Sequence, residues 1–327
     1  MEKLTKIIGI AFLAVSVLSC SDDNESQPTI VDIASDNADF SILVRALERT
    51  DLVSTLDGSG QFTVFAPTNA AFTTFFNSLG TGVTVENVDA AVLKKILLNH
   101  VIGDEIKSGE LPAATYASTL SPFNTSVNAP TISMFVQKAG SVVTINGGSA
   151  NGGATVTTAD LDASNGVIHV VGNVIAIPTV VNHVIANPDF DTLQTVVTST
   201  DQAAVLGALS GLTATAPATL FAPNNAAFTA ALGAGGFAYS ATAAQVTKVL
   251  QYHVTTAGNV RSSQLANNQV VPMFTSPVLN VTVILGTSNP VTVDIKDTQN
   301  ILSRVFQADI QASNGVIHGV NKVLRPF

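Results

Sequence analysis

The 327-residue chain has no tryptophan, three tyrosines and a single cysteine, and only 11% of its residues are charged. One cysteine rules out an intramolecular disulfide and any thiolate-rich metal site. Basic residues are scarce as well: 14 Lys and Arg stand against 23 Asp and Glu, for a net charge of −9. That balance argues against binding to a phosphate backbone, so no nucleic-acid partner is expected. Catalytic signatures are missing too. There is no His-Glu-x-x-His, no Gly-x-Ser-x-Gly, no P-loop and no dinucleotide fingerprint. No catalytic residue, metal site or cofactor is therefore assigned. Spacing neither assembles nor forbids a Ser/His/Asp triad, whose members meet only in the fold.

The cysteine is explained by its position. Lys3 and Lys6 precede an apolar run, Ile7 to Leu18, that is short for a bilayer span and reads as a secretory signal over residues 1–19. Val17-Leu18-Ser19-Cys20 resembles a bacterial lipobox, with Leu18 where a smaller residue is commoner. This implies a lipidated Cys20, a membrane anchor through that lipid and a place in the cell envelope, at the outer membrane. Ser21-Asp22-Asp23-Asn24-Glu25 resembles the acidic tract of surface-exported lipoproteins in the Bacteroidetes, which implies surface exposure. Residues 20–28 are thus the lipidated cysteine and an acidic tether, whose eight residues after Cys20 reach at most about 28 Å. Without the leader the net charge is about −10.

What fills the rest is one module used twice. Ser164-Asn165-Gly166-Val167-Ile168-His169 recurs as Ser313-Asn314-Gly315-Val316-Ile317-His318, 149 positions on. Asn-Gly signals a tight turn at positive φ, and the run behind it reads as a strand that places Val167, His169 and Val171 on one face. Phe62-Thr63-Val64-Phe65-Ala66-Pro67-Thr68-Asn69-Ala70-Ala71-Phe72 pairs with Ala218-Thr219-Leu220-Phe221-Ala222-Pro223-Asn224-Asn225-Ala226-Ala227-Phe228. In each, a buried strand ends at the proline and a capped helix follows. Upstream, Phe40, Leu43, Val44 and Leu47 form an amphipathic helical stripe, matched by Phe190, Leu193 and Val197 behind an Asn187-Pro188 start. Leu93, Ile96, Leu97 and His100 share a helical face, as do Val246, Val249, Leu250 and His253. Strands are expected over Val142 to Ile145, Val156 to Thr158, Val278 to Leu285 and Val291 to Ile295. Asn146 to Gly153, with four glycines, reads as a flexible hairpin loop.

These blocks resemble the fasciclin family. Phe-Ala-Pro-Thr-Asn-Ala-Ala-Phe, the helix-terminal histidine and Ser-Asn-Gly-Val-Ile-His are similar to the three marks of a fasciclin domain, and here they occur in order twice. Tyr252-His253 matches the family's Tyr-His pair, whereas the first copy has Asn99-His100. The resemblance implies an α+β fold, each domain a small β-sandwich or wedge packed with several helices, over residues 29–178 and 179–327. No linker separates the copies, so the domains are expected to abut.

For the histidines the residues themselves favour structure: His169 and His318 are expected as buried imidazoles bonded to backbone or hydroxyl groups, and His100 and His253 similarly. His183 has no counterpart in the first copy and reads as incidental. Pro67, Asn165, Gly166, His169, Pro223, Asn314, Gly315 and His318 are expected to be structural motif positions. The resemblance adds candidate adhesion positions: Asp309 and Ile310, Tyr252 and His253, Asp160 and Leu161, and His100. The second copy, with both Asp-Ile and Tyr-His, is the favoured binder, with Asp309 expected to act in binding and not in stability. The expected function is adhesion or matrix interaction, non-catalytic, with surface proteins, glycans or matrix as partners. The alternative is a glycan-binding accessory lipoprotein of a polysaccharide-uptake system, against which the scarcity of Trp and Tyr counts.

Overall fold

A computed structural model of the chain describes residues 27–232, 242–288 and 290–327; the leader and Cys20 lie outside the described residues. The first domain opens with α1 (Ile30–Asp36), whose start is fixed by Thr29: its Oγ1 accepts from Asp32 N–H at 3.2 Å while the Asp32 carboxylate accepts from Thr29 N–H at 2.9 Å. Next come α2 (Ser41–Arg49), α3 (Val53–Leu56) and strand β1 (Phe62–Pro67). Pro67 ends the strand, and Thr68 caps α4 (Asn69–Leu79) by accepting from Ala71 N–H at 3.3 Å. After α5 (Ala90–Leu98) the chain runs through β2 (Val101–Ile102), β3 (Ala114–Pro122), β4 (Thr131–Ala139), β5 (Val142–Ile145), β6 (Ala154–Ala163) and β7 (Gly166–Val171).

These seven strands close into a barrel in sequence order, with β7 returning to lie parallel to β1 from Phe62 opposite Gly166 to Pro67 opposite Val171. The expected sandwich or wedge is thus a sheet curled on itself. The β1–β7 pair is buried on both faces. Val64, Ala66 and Ile168 join Leu43, Leu47, Phe72, Leu93 and Leu97 of the helical layer, while Phe65 and Val171 join Ile102, Met134 and Ile145 inside the barrel. A strand buried on both sides reads as an unbroken apolar run, which is why these two segments are so legible.

The second domain repeats the plan: α6 (Val180–Ala186), α7 (Asp191–Val197), α8 (Ala203–Ser210), β8 (Ala218–Pro223), α9 (Asn225–Leu232), α10 (Ala243–Gln251), β9 (Val254–Thr255), β10 (Val270–Pro272), β11 (Asn280–Leu285), β12 (Val293–Lys296), β13 (Leu302–Ala312) and β14 (Gly315–Val320). Its sheet is seven-stranded in the order β10-β11-β12-β13-β14-β8-β9, with β14 parallel to β8. The seam between β9 and β10 is held by single bonds: Phe274 N–H donates to the Val254 carbonyl at 2.7 Å, and Thr255 Oγ1 to that of Pro272 at 2.7 Å.

Two expectations are corrected here. The turn before β7 and β14 does not use positive φ at the asparagine; its two turn residues are Ser164 and Asn165, or Ser313 and Asn314. Glycine is required instead because a strand backbone lies against it. A Cβ at Gly166 (φ 140°) would sit 2.0 Å from the Phe62 carbonyl oxygen, and one at Gly315 2.3 Å from that of Ala218. The segment Asn146–Gly153 is not a free hairpin loop. It holds a 3-10 turn at Ser149–Asn151, and Gly153 is so tightly packed that a Cβ would meet the Ile145 oxygen at 1.9 Å.

That segment is one side of the junction between the domains. Asn151 Nδ2–H donates to the Asn182 carbonyl of α6 at 2.8 Å, and Asn182 Nδ2–H returns a bond to Asn151 Oδ1 at 3.0 Å. Across the same junction Gln311 N–H donates to Ser133 Oγ at 2.9 Å, and Asn187 Nδ2–H to the Tyr116 hydroxyl at 3.3 Å. His183 is at the centre of this interface, fully buried with its ring 5.5 Å from that of Tyr116, so it is a junction residue and not an incidental one.

Candidate functional site: the bulge clusters and their histidines

The same polar cluster is built twice. In β6 the register slips between Thr158 and Leu161, and in β13 between Gln307 and Ile310; the residue inside each bulge is an aspartate with φ 60°, Asp160 or Asp309. Aspartate tolerates this conformation better than most residues. The Asp309 carboxylate accepts from Ser262 N–H at 2.8 Å and from Ser262 Oγ–H at 2.5 Å, and the Asp160 carboxylate accepts from Ser108 in the same way at 2.7 and 2.5 Å. The backbone N–H of each aspartate then donates 3.2 Å to a histidine Nδ1, Asp160 to His169 and Asp309 to His318.

The other ring nitrogen fixes the tautomer. His169 Nε2–H donates to the Ile106 carbonyl at 3.0 Å and His318 Nε2–H to that of Val260 at 2.9 Å. Both nitrogens of each neutral imidazole are therefore spent on backbone groups. Burial holds His318 below the usual imidazole range, although the Val260 bond and the Asp309 charge favour protonation. Burial raises Asp309, but the two Ser262 bonds, with His318 and Arg261 beside it, outweigh it, and the carboxyl lies below its ordinary value. Arg261 Nη2 is 3.6 Å from Asp309 Oδ2.

Ser, His and Asp thus meet in each domain, but in the wrong order for nucleophilic chemistry. The serine donates to the aspartate, and the histidine lies between two backbone groups, so neither serine has an imidazole placed to take its proton. Among the described residues no group of three His, Cys, Asp or Glu side chains is placed to hold a metal ion.

His100 and His253 form a second repeated device. Nδ1–H of each donates one turn back along its helix, to Ile96 or Val249, at 2.8 Å; Nε2 accepts from Ile175 N–H at 2.8 Å or Leu324 N–H at 2.9 Å. Each histidine ties the C-terminal segment of its domain to the helical layer. Burial pushes both down to about 4, against the pull of the helix carbonyl. Asn165 and Asn314 also go beyond a turn role. Asn165 Oδ1 accepts from Ile30 N–H at 3.0 Å while its Nδ2–H groups donate to the Leu56 and Gly58 carbonyls at 2.7 and 3.1 Å; Asn314 bonds Val180 N–H and the Leu209 carbonyl.

Several candidate adhesion side chains are enclosed, contrary to a surface reading. Tyr252 is 0% exposed, its hydroxyl donating to the Asn280 carbonyl at 2.8 Å, and Ile310 is 1% exposed in the second domain's core. His100 and His253 are buried as described, and Leu161 is half-buried against the first helical layer. What reaches solvent is the aspartates, and more in the first copy: the Asp160 side chain is 36% exposed and Asp309 21%.

Other participants left no sequence signal of their own. Ser108 lies in a turn and Ser262 opens a 3-10 helix, Ser262–Gln264, and Thr63 and Thr219, buried in β1 and β8, pin the segments leading to them by accepting from Ile106 N–H at 2.8 Å and Val260 N–H at 2.9 Å. Only aligning the two copies, which places a serine before each bulge aspartate, could have found them.

Comparison with known proteins fits this repeated construction. The fasciclin domain model matches residues 38–178 and again 188–326. A protein of Synechocystis named sll1483 is 39% identical over 155 residues, 47% of this chain and 76% of that protein; an uncharacterized Synechocystis protein, sll1735, is 34% identical over 149 residues, 45% of this chain and 97% of that one. A solved fasciclin domain pair from the insect cell adhesion molecule fasciclin I is 18% identical and covers 85% of this chain and 91% of its own, with a TM-score of 0.49. Fasciclin domains are associated with cell adhesion and not with catalysis. Two family matches in tandem, each spanning its own strand pair, histidines and bulge cluster, make the chain a member of the fasciclin domain family.

Proposed function

We propose that the chain is an adhesion or matrix-interaction module of the cell envelope, non-catalytic and held to the outer membrane by a lipid on Cys20. The observation that carries this reading is the wiring of the polar clusters: the groups that could have done chemistry are committed to bracing loops and termini. What remains to meet a partner is surface carried on braced domains. The exposed Asp160 and the partly exposed Asp309, with Leu161 beside the first, are the contact positions in this reading. Among the described residues no helix is long and apolar enough to cross a membrane. The expected outcome is that Cys20→Ser moves the protein from the membrane fraction to the soluble fraction or leaves an uncleaved precursor. Beads coated with the two-domain chain are expected to adhere to cells or matrix, and Asp160→Asn to reduce that adhesion.

One observation favours the glycan-binding alternative. Phe306 is 44% exposed on the floor of a 400 Å³ groove that Ser262, Ser263 and Thr292 also line. An exposed ring flanked by hydroxyls suits a sugar face, a feature the scarcity of Trp and Tyr concealed. A glycan array run beside the bead assay separates the two: saturable binding of one oligosaccharide without adhesion replaces the adhesion reading by this one.

A further inference from the structure

The outer face of α5 in the first domain faces a groove of 420 Å³, bordered by Ala91, Val92, Lys94, Lys95 and Leu98 and, across it, by Pro122 at the end of β3. Its volume is that of a small-ligand site. The exposed wall area is mostly apolar, with Val92 51% exposed, and Asn124 and Thr125 after Pro122 complete the rim. The only charged groups at the groove are the two lysines.

Among the described residues no carboxylate lies within 4.0 Å of either amine, as is true of every described lysine except Lys107. Lys95 is half-buried. Its Nζ donates to the Phe123 carbonyl at 3.0 Å, and burial pushes its pKa down, so the protein leaves this cation partly desolvated without a countercharge. An anion arriving at the amine would supply what is missing.

The second domain serves as an internal control. In α10 the positions of Val92, Lys94 and Leu98 hold Gln245, Thr247 and Gln251, and each described polar contact there is internal. Gln245 Oε1 accepts from Thr242 N–H at 2.8 Å, Thr247 Oγ1–H donates to Gln202 Oε1 at 2.8 Å, and Lys248, the counterpart of Lys95, lies 5.7 Å over the Phe327 ring. The same helix in the same fold is thus polar and internally bonded in one copy, and apolar with two lysines at its groove in the other. The fold does not require the groove.

We propose that this groove binds a single-chain carboxylate, its apolar chain lying along Val92, Leu98 and Pro122 and its carboxylate at Lys94 and Lys95. This site is separate from the adhesion reading, and either can fail without the other.

The test is calorimetric titration of the two-domain chain with dodecanoate below its micelle concentration, beside dodecanol and dodecyltrimethylammonium. One saturable site is expected, with dodecanol weaker by about tenfold or more, in keeping with loss of a charge-assisted contact, and no binding of the cation. Lys94→Gln with Lys95→Gln should weaken dodecanoate by about tenfold and leave dodecanol unchanged. Val92→Gln with Leu98→Gln, which installs the second domain's residues, should weaken both, while Lys248→Gln should change neither. Val92 and Lys94 are exposed, but Leu98 packs partly against the first domain's core and Lys95 bonds the Phe123 carbonyl, so a modest loss of melting temperature is expected in both double variants. Absence of a saturable site for dodecanoate, equal affinity for the three head groups, or unchanged affinity in either double variant would overturn the proposal. The head-group comparison uses only the parent chain, so it decides the matter even if a variant misfolds.

Discussion

Asp309 combines a backbone at φ 60°, two bonds accepted from Ser262 and one donated to His318. Each of these is an intramolecular obligation, and together they make the residue a brace whatever it also contacts outside. Asp309→Ala therefore has to place an alanine in the left-handed region and leave Ser262 without its acceptor. A loss on the order of 2 kcal/mol is expected. Asp309→Asn should lose less, because asparagine tolerates this φ and keeps one acceptor oxygen. Thermal unfolding of the two variants checks this, and an unshifted melting temperature in Asp309→Ala would restore the pure binding role expected from sequence. Asp160 is held by the same bonds in a more open place, so a change there separates adhesion from stability less ambiguously in Asp160→Asn than in Asp160→Ala.

At the level of elements, the parallel pairs β1–β7 and β8–β14 organise each domain, and they were also the most legible part of the sequence. Unbroken apolar runs, a terminating proline and a capping Thr68 or Asn224 leave little choice of structure. The bulges were not legible. Asp160-Leu161 and Asp309-Ile310 look like turn residues because aspartate at positive φ is common in turns, yet the strands run straight through them as β6 and β13. Barrel closure was hidden too, since β2 and β9 are two residues long and no periodicity marks them. Glycine in Asn-Gly was recognised for only part of the reason: Gly166 does hold positive φ, but in both copies it is the neighbouring strand's carbonyl that excludes a side chain. Gly166→Ala and Gly315→Ala consequently force a Cβ to within 2.0 and 2.3 Å of backbone oxygens that central strands hold in place. Each should cost more than about 4 kcal/mol, the range of severe core lesions, and unfold its domain. Urea unfolding followed by circular dichroism tests this. Gly109→Ala, where a Cβ meets nothing within 4 Å, serves as the control.

At the scale of the whole molecule, the junction joins two copies of one fold through residues the copies do not share. His183 stands where the first copy has Ile33, and in the junction it is fully buried with neither ring nitrogen at hydrogen-bond geometry to a partner. The Gln311 backbone is close enough to favour the charged form, but burial dominates and pushes the imidazole down to about 4. The unfolded chain binds this proton near pH 6.5 and the folded chain only near 4, so between those values the unfolded state holds more protons. Stability at His183 is therefore complete above pH 6.5 and is lost as pH falls toward 4, by about 2 kcal/mol at pH 5. His100 and His253, also pushed to about 4, act with the same sign inside their own domains. The groups facing His183 offer no relief: Tyr116 is neutral in this range, and the Asp189 charge acts on the tyrosine hydroxyl. Replacing the histidine by the residue of the first copy removes an unpartnered buried ring at little change in volume, a change that is neutral or stabilising when both states are apolar. His183→Ile should thus match or exceed the parent in stability at pH 7.5 and exceed it by about 2 kcal/mol more at pH 5. Denaturant unfolding at the two pH values measures the difference. Parallel pH dependence in variant and parent would mean that the buried imidazole is met by a partner in solution and that the junction is indifferent to acid.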